Sequence, residues 1–210
     1  MSRLRAALLA LVLVAVACTS DRGASPGTTT TTAQASELQA ALLTTADLPD
    51  GFEPAAGDDT ITSFCAGQDA AAGLRASDRA VAAFARQPPG ASVIQVVLRL
   101  EGDGAQQFVD QAGALLDSCS EVPDATGLAF AYEASSPEVT AALDPAPGAV
   151  SGYGTSVGSG SLTVQIAVAR RDDVAVLVAV LGVDQARDDL DALAADVFAA
   201  TMARLPAPSS

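Results

Sequence analysis

The chain has 210 residues, 50% of them hydrophobic, with 25 acidic side chains against 11 basic ones and a formal net charge of −14. That is ample for one core and excludes a disordered, collagen-like or coiled-coil chain. Aromatics make up only 4%, so the core is built mainly from Ala, Val and Leu; every basic residue is Arg, and the absence of Lys and His removes the usual bases of nucleophilic catalysis.

The N-terminal segment carries the clearest signal. Arg3 and Arg5 precede an unbroken apolar run of twelve residues, Ala6 to Ala17. Twelve helical residues rise only about 18 Å against a hydrocarbon core of about 30 Å, so the segment reads as an export signal rather than a membrane span. Its end, Val14-Ala15-Val16-Ala17-Cys18, resembles the lipobox of bacterial lipoproteins. The resemblance implies diacylglycerol on the Cys18 thiol, cleavage before Cys18, palmitate on the new N-terminus and anchoring to the outer face of the cell membrane. A plain signal peptide with an incidental cysteine is the alternative.

Residues 18–35 are read as the lipidated cysteine followed by a Thr-rich tether without a large apolar side chain. A flexible chain of that length spans roughly 20 to 25 Å. A domain is expected over 36–206, with a short C-terminal tail at 207–210. Ser36 can cap a short helix presenting Leu38, Ala41 and Leu42. Pro49 and Asp50-Gly51 then force a turn between the anchors Leu48 and Phe52, and residues 53–73 read as a long loop holding Cys65. A hairpin is predicted from Ala80–Arg86 and Ser92–Leu100 through Gln87-Pro88-Pro89-Gly90. In its second strand Ile94, Val96, Leu98 and Leu100 form one apolar face, while Val93, Gln95, Val97 and Arg99 form a mixed one. Helical spacing follows over 103–119, with Phe108, Val109, Ala112, Leu115, Leu116 and Cys119 on one stripe.

The second half reads as sheet. Leu128, Phe130 and Tyr132 alternate, a Pro-punctuated loop intervenes, and 149–157 is Gly-rich but extended. Leu162, Val164, Ile166 and Val168 alternate cleanly; Arg170-Arg171-Asp172-Asp173 turns the chain into Val174–Leu181, apolar on both faces and hence a central strand. Asp184–Arg204 is predicted to be an amphipathic helix with an Asp cap. The order implies an α+β fold: a mostly antiparallel sheet of about six strands, with helices on one face.

If Cys18 carries lipid, Cys65 and Cys119 remain as an even pair in an oxidising compartment, and a disulfide is expected. Closing a loop of 54 positions is worth up to about 4 kcal/mol. Two separate buried thiols are the alternative. Removing residues 1–17 takes away two arginines and leaves 9 against 25 acids, a charge of −16. Such a body repels nucleic acid and anionic lipid, and its acidity serves either solubility or attraction of cations.

Catalytic motifs are sparse. Gly154-Thr155-Ser156-Val157-Gly158 fits the pattern of a nucleophile elbow, but it lies between extended runs in a chain without His or Lys. Zinc lacks ligands, no cofactor fingerprint occurs, and the acidic clusters Asp58-Asp59, Glu101-Gly102-Asp103, Asp172-Asp173 and Asp188-Asp189-Asp191 match no EF-hand, so neither metal nor cofactor is expected.

The absence of Lys resembles actinobacterial composition. Leu42-Leu43-Thr44-Thr45-Ala46-Asp47-Leu48-Pro49, the two cysteines flanking a hairpin and helix, and Val168-Ala169-Arg170-Arg171-Asp172-Asp173-Val174 before a terminal helix together resemble one family. It comprises actinobacterial cell-envelope lipoproteins similar to the extracellular sensor domain of mycobacterial Ser/Thr protein kinase H. The resemblance implies an α/β sheet with a cleft and a ligand-sensing role without catalysis; it carries over no site residue. The expected function is therefore a lipid-anchored extracytoplasmic binding or sensor-like lipoprotein. Its ligand would be a small molecule, lipid or envelope protein. The alternatives are a structural protein-interaction module of the envelope and a hydrolase.

Overall fold

The computed structural model describes residues 37–57, 63–65, 68–87, 90–119, 130–156 and 162–206. The predicted signal segment, Cys18, the tether and the 207–210 tail lie outside the described residues. The architecture is an antiparallel α+β sheet of seven strands, one more than the sequence suggested. The extra strand is β1 (Glu53–Pro54), a two-residue edge pairing with Phe84 and Ala85. The other members are β4 (Ala76–Arg86), β5 (Ala91–Leu100), β6 (Phe130–Glu133), β7 (Val150–Ser156), β8 (Leu162–Arg171) and β9 (Val174–Val183), in the order β1-β4-β5-β9-β8-β7-β6. β2 (Ser63–Cys65) and β3 (Gln68–Asp69) form a separate two-stranded ribbon, so the predicted 53–73 loop contains three short strands.

β9 lies near the middle of the sheet, as its two apolar faces require. It pairs with β5 from Val174↔Arg99 to Gly182↔Ala91 and with β8 from Val174↔Arg171 to Val183↔Leu162. The tight β8–β9 hairpin places Asp172 at φ 54°, a conformation that Asp tolerates.

The helices cover both faces, which corrects the expectation of one. Helix α1 (Gly104–Ser118) packs Ala105, Phe108, Val109 and Ala112 against Val96, Leu98, Val164, Ile166, Val168, Ala175, Leu177 and Ala179. On the opposite face, α3 (Arg187–Arg204) packs Leu190, Leu193, Ala194, Val197 and Phe198 against Val93, Val97, Ala167, Ala169, Val176, Val178 and Val180. Successive strand residues point to opposite sides, so strands apolar at every position can bury both faces. Phe108 and Phe198 are fully buried, one on each face, where the surrounding Ala and Val leave room for a ring.

Two buried glutamines dock the second layer. Gln95 is inaccessible to solvent. Its Oε1 accepts from the Leu43 amide at 2.7 Å, and its Nε2 donates to the Ala41 carbonyl at 3.2 Å. The face of β5 read as mixed is therefore core, because the amide of Gln95 is satisfied by backbone some fifty positions away. Gln165, also inaccessible, donates from Nε2 to Asp191 of α3, while its Oε1 accepts from the Ser135 hydroxyl at 3.0 Å.

Local details differ from the periodicity in three places. The loop after β6 holds a short helix, α2 (Pro137–Ala141), with Ser136 as N-cap and Pro at the first position. α3 begins after Ala186 rather than at an Asp cap; Asp184 instead turns the chain at φ 52°. Gly152 and Gly154 make β7 glycine-rich because the Tyr132 ring of β6 lies across them: a Cβ on Gly154 would sit 2.8 Å from Tyr132 Cε1.

Candidate functional site

Of the predicted site residues, Cys18 lies outside the described residues. Cys65 ends β2, but its side chain is not among those described. Cys119 follows α1 and is half-buried, its Sγ 4.0 Å from the Phe130 carbonyl oxygen. Ser156 does not occupy a nucleophile elbow: it is buried at the end of β7, and its Oγ accepts from the Leu162 amide at 3.3 Å across the β7–β8 connection. Val157 and Gly158 lie outside the described residues.

Two of the acidic clusters have members engaged within the fold. Asp173 binds Arg99 at 3.0 Å, whereas Asp191 is turned inward to Gln165 and Arg187, away from the exposed Asp188 and Asp189. Asp58-Asp59 is outside the described residues. Among those described, no group of three Asp, Glu, His or Cys side chains is placed to hold a metal ion.

The antiparallel topology brings three distant segments together at one pole. β4 ends at Arg86, β9 ends at Val183 just before Asp184, and the turn at Gly51 passes the Arg86 side chain. Between them lies a cleft of about 390 Å³. One wall is Pro49 and Arg86; the other is Asp184, Gln185 and Ala186 with Asp189, Ala192, Leu193 and Asp196 of α3. The α3 contributions recur at helical spacing and so share one flank.

Local sequence explains each wall. Gly51 adopts φ 91°, a conformation that glycine takes without penalty, and the stem of Arg86 passes so close that a Cβ on Gly51 would meet Arg86 Cδ at 3.4 Å. The next residue, the buried Phe52, lies under the Arg86 guanidinium, whose central carbon is 4.9 Å from the ring centroid. Opposite, Gly182 is tightly covered: a Cβ there would lie 3.1 Å from Gln185 Oε1 and 3.2 Å from Leu190 Cδ1. Gln185 Nε2 in turn donates to the Gly90 carbonyl at 3.4 Å. Arg187 anchors the start of α3: it stacks 4.2 Å from the Tyr153 ring centroid, binds Glu133 and lies 3.6 Å from Asp191.

Arg86 differs from the other half-buried arginines. Arg99, Arg187 and Arg204 are neutralised by carboxylates, Arg171 donates to the Leu205 and Pro206 carbonyls, and Arg170 donates to Gln106. The Nε of Arg86 is buried without a partner, as are those of Arg99 and Arg204, but Arg86 alone among these half-buried arginines has no side-chain hydrogen bond or ion pair at all among the described residues. Sequence reasoning missed it because residue 86 reads only as a strand end. A pointer existed in its position just before the Pro-Pro-Gly turn, at the same end of the hairpin stack as Asp184.

The class defined by this structure is an antiparallel α+β sheet covered by helices on both faces, with a polar cleft at one end. Its fold is similar to that in the crystal structure of the extracellular domain of PknH from Mycobacterium tuberculosis, with a TM-score of 0.53 and 18% identity over 78% of this chain and 94% of that one. No family model and no curated protein matches the chain. Among the described residues no helix is long and apolar enough to cross a membrane.

Proposed function

We propose that the chain is an extracytoplasmic, lipid-anchored binding lipoprotein with a sensor-like role and no catalytic activity, presenting the polar cleft to ligands away from the membrane. The position of that cleft carries the reading. Glu37, where the described chain starts after the tether, is held by Arg99 at 2.9 Å beside the β8–β9 turn. The cleft lies at the other end of β9, ten residues or about 30 Å away. A tether leading from Cys18 to Glu37 would thus leave the opening facing outward. The shared fold with an extracellular domain supports an extracytoplasmic setting. Burial of Ser156 and the bond its oxygen accepts weigh against a hydrolase.

Lipid anchoring is tested by metabolic labelling with an alkyne palmitate. Incorporation into the wild type and its loss in Cys18→Ala are expected; equal labelling of both, or secretion of unlabelled protein into the medium, refutes the anchor. We place Cys65 and Cys119 in one disulfide, a reading supported by Cys119 being disulfide-bonded and by Cys65 ending a strand of the small ribbon. Thiol titration of the denatured chain without reductant should find neither of them. The ligand site is tested by thermal shift against small molecules of different charge types, with a rise in melting temperature expected for at least one.

A protein-interaction role is the second reading. It is favoured by a shallow apolar groove of about 440 Å³ between α2 and α3, lined by Ala141, Ala142, Pro145, Ala199, Met202 and Ala203 beside Arg171.

A further inference from the structure

We infer that the polar cleft takes a small zwitterion of the amino-acid type, its carboxylate on Arg86 and its ammonium among Asp184, Asp189 and Asp196. This rests on the reading of the cleft as a ligand site. The unpaired guanidinium carries the inference. Arg86 is half-buried, its stem lies along Gly51, its guanidinium lies over the Phe52 ring, and none of its nitrogens has a protein acceptor among the described residues. A planar guanidinium held in one orientation is matched to a carboxylate, which it can engage with two parallel hydrogen bonds.

The opposite wall sets the other half of the ligand. Three carboxylates against one guanidinium leave the lining with a net charge of −2. A simple anion would meet that field before reaching Arg86, and a simple cation would leave the guanidinium without an acceptor. A molecule carrying both charges satisfies both walls. The volume, about 390 Å³, lies at the lower end of the range for ligand sites and suits an amino acid or dipeptide rather than an extended polymer. The residual negative charge further ranks ligands: a second ammonium should strengthen binding, and a second carboxylate should weaken it.

The experiment is calorimetric titration of the full chain in detergent with L-alanyl-L-alanine, its C-terminal amide, its N-acetyl derivative, L-lysyl-L-alanine and L-glutamyl-L-alanine. The expected order is lysyl-alanine, then alanyl-alanine, then glutamyl-alanine, with each blocked dipeptide at least about tenfold weaker than alanyl-alanine. Arg86→Gln should weaken alanyl-alanine by about tenfold to a hundredfold and leave the amide unaffected, because the amide has no carboxylate to lose. Asp189→Asn, at an exposed helical position that leaves the core intact, should selectively weaken peptides with a free amine. This second variant keeps the test decisive if Arg86→Gln folds poorly. The inference is overturned if the amide and the free acid bind equally, or if binding is indifferent to both substitutions. It also falls if no dipeptide binds while another class in the thermal-shift panel does, a result that leaves the cleft as a ligand site. If nothing in either assay binds, the ligand-site reading falls with it.

Discussion

Replacing Gln95 by Met tests whether the buried amide, rather than apolar contact, docks the N-terminal segment on the sheet. Methionine fills nearly the same volume but can neither accept from the Leu43 amide nor donate to the Ala41 carbonyl. Leu43 and Ala41 are only 3% and 1% exposed, so water cannot replace the lost partner without opening the segment. Two orphaned backbone groups at about 1–3 kcal/mol each give about 2–6 kcal/mol, and the relief of burying a methionine instead of an amide reduces the expected loss to about 2–4 kcal/mol. For a domain of this size that corresponds to a fall in melting temperature of about 4–16 °C. Urea unfolding measures the free energy, and amide hydrogen exchange at Leu43 measures whether the contact itself has opened. A variant within about 0.5 kcal/mol of wild type whose Leu43 amide stays protected would refute the reasoning, since the neighbouring apolar contacts would then suffice.

Gly154→Val should cost about 1–3 kcal/mol in urea unfolding, because its Cβ would lie 2.8 Å from Tyr132 Cε1 and 2.9 Å from Val164 Cγ1; an unchanged midpoint would contradict the packing. Phe198→Ala should cost about 3–5 kcal/mol by the same measurement, and a loss below about 1 kcal/mol would mean that the α3 side of the core is not close-packed. Burial pushes the Tyr132 phenol well above its ordinary value of 10.0, so its contribution to stability is complete below that pH and lost as pH rises toward the raised value. The chain has two tyrosines and no tryptophan, so absorbance titration of wild type against Tyr132→Phe isolates this group; appearance of the Tyr132 phenolate near pH 10 in the folded protein would contradict its burial. At Asp47, burial raises the carboxyl, but bonds from the Thr44 hydroxyl and amide and from Arg204 outweigh it and hold the group below 3.8. Its contribution is full above that value and lost as pH falls through the lowered one, so the melting-temperature gap between wild type and Asp47→Asn should close on acidification from pH 5 to about pH 2. A gap independent of pH would show that the stabilisation is not ionic.

Much of the fold is legible in local pattern, because strand and helix periods report which side chains leave water. The alternation over 162–168, the two-faced apolar run of β9 and the helical stripe around Phe108 all correspond to structure. The placement of helices on both faces was not legible, although the data for it lay in β5. Gln95 made one face of that strand look half-polar, and only the folded chain supplies the Leu43 and Ala41 backbone that satisfies it. The same limit explains α2, five residues long and too short to declare a period.

By itself, the sequence determined the small-residue composition of the core, the antiparallel hairpins of strands adjacent in the chain and the expectation of an export signal; each depends on neighbours in the chain or on composition alone. Tertiary structure alone decided the cleft. Pro49, Arg86, Asp184 and Asp196 are scattered over almost 150 positions and share no local period. They meet because antiparallel strands bring distant ends to one pole, where the guanidinium of Arg86 lies over Phe52 and finds no carboxylate within the described fold.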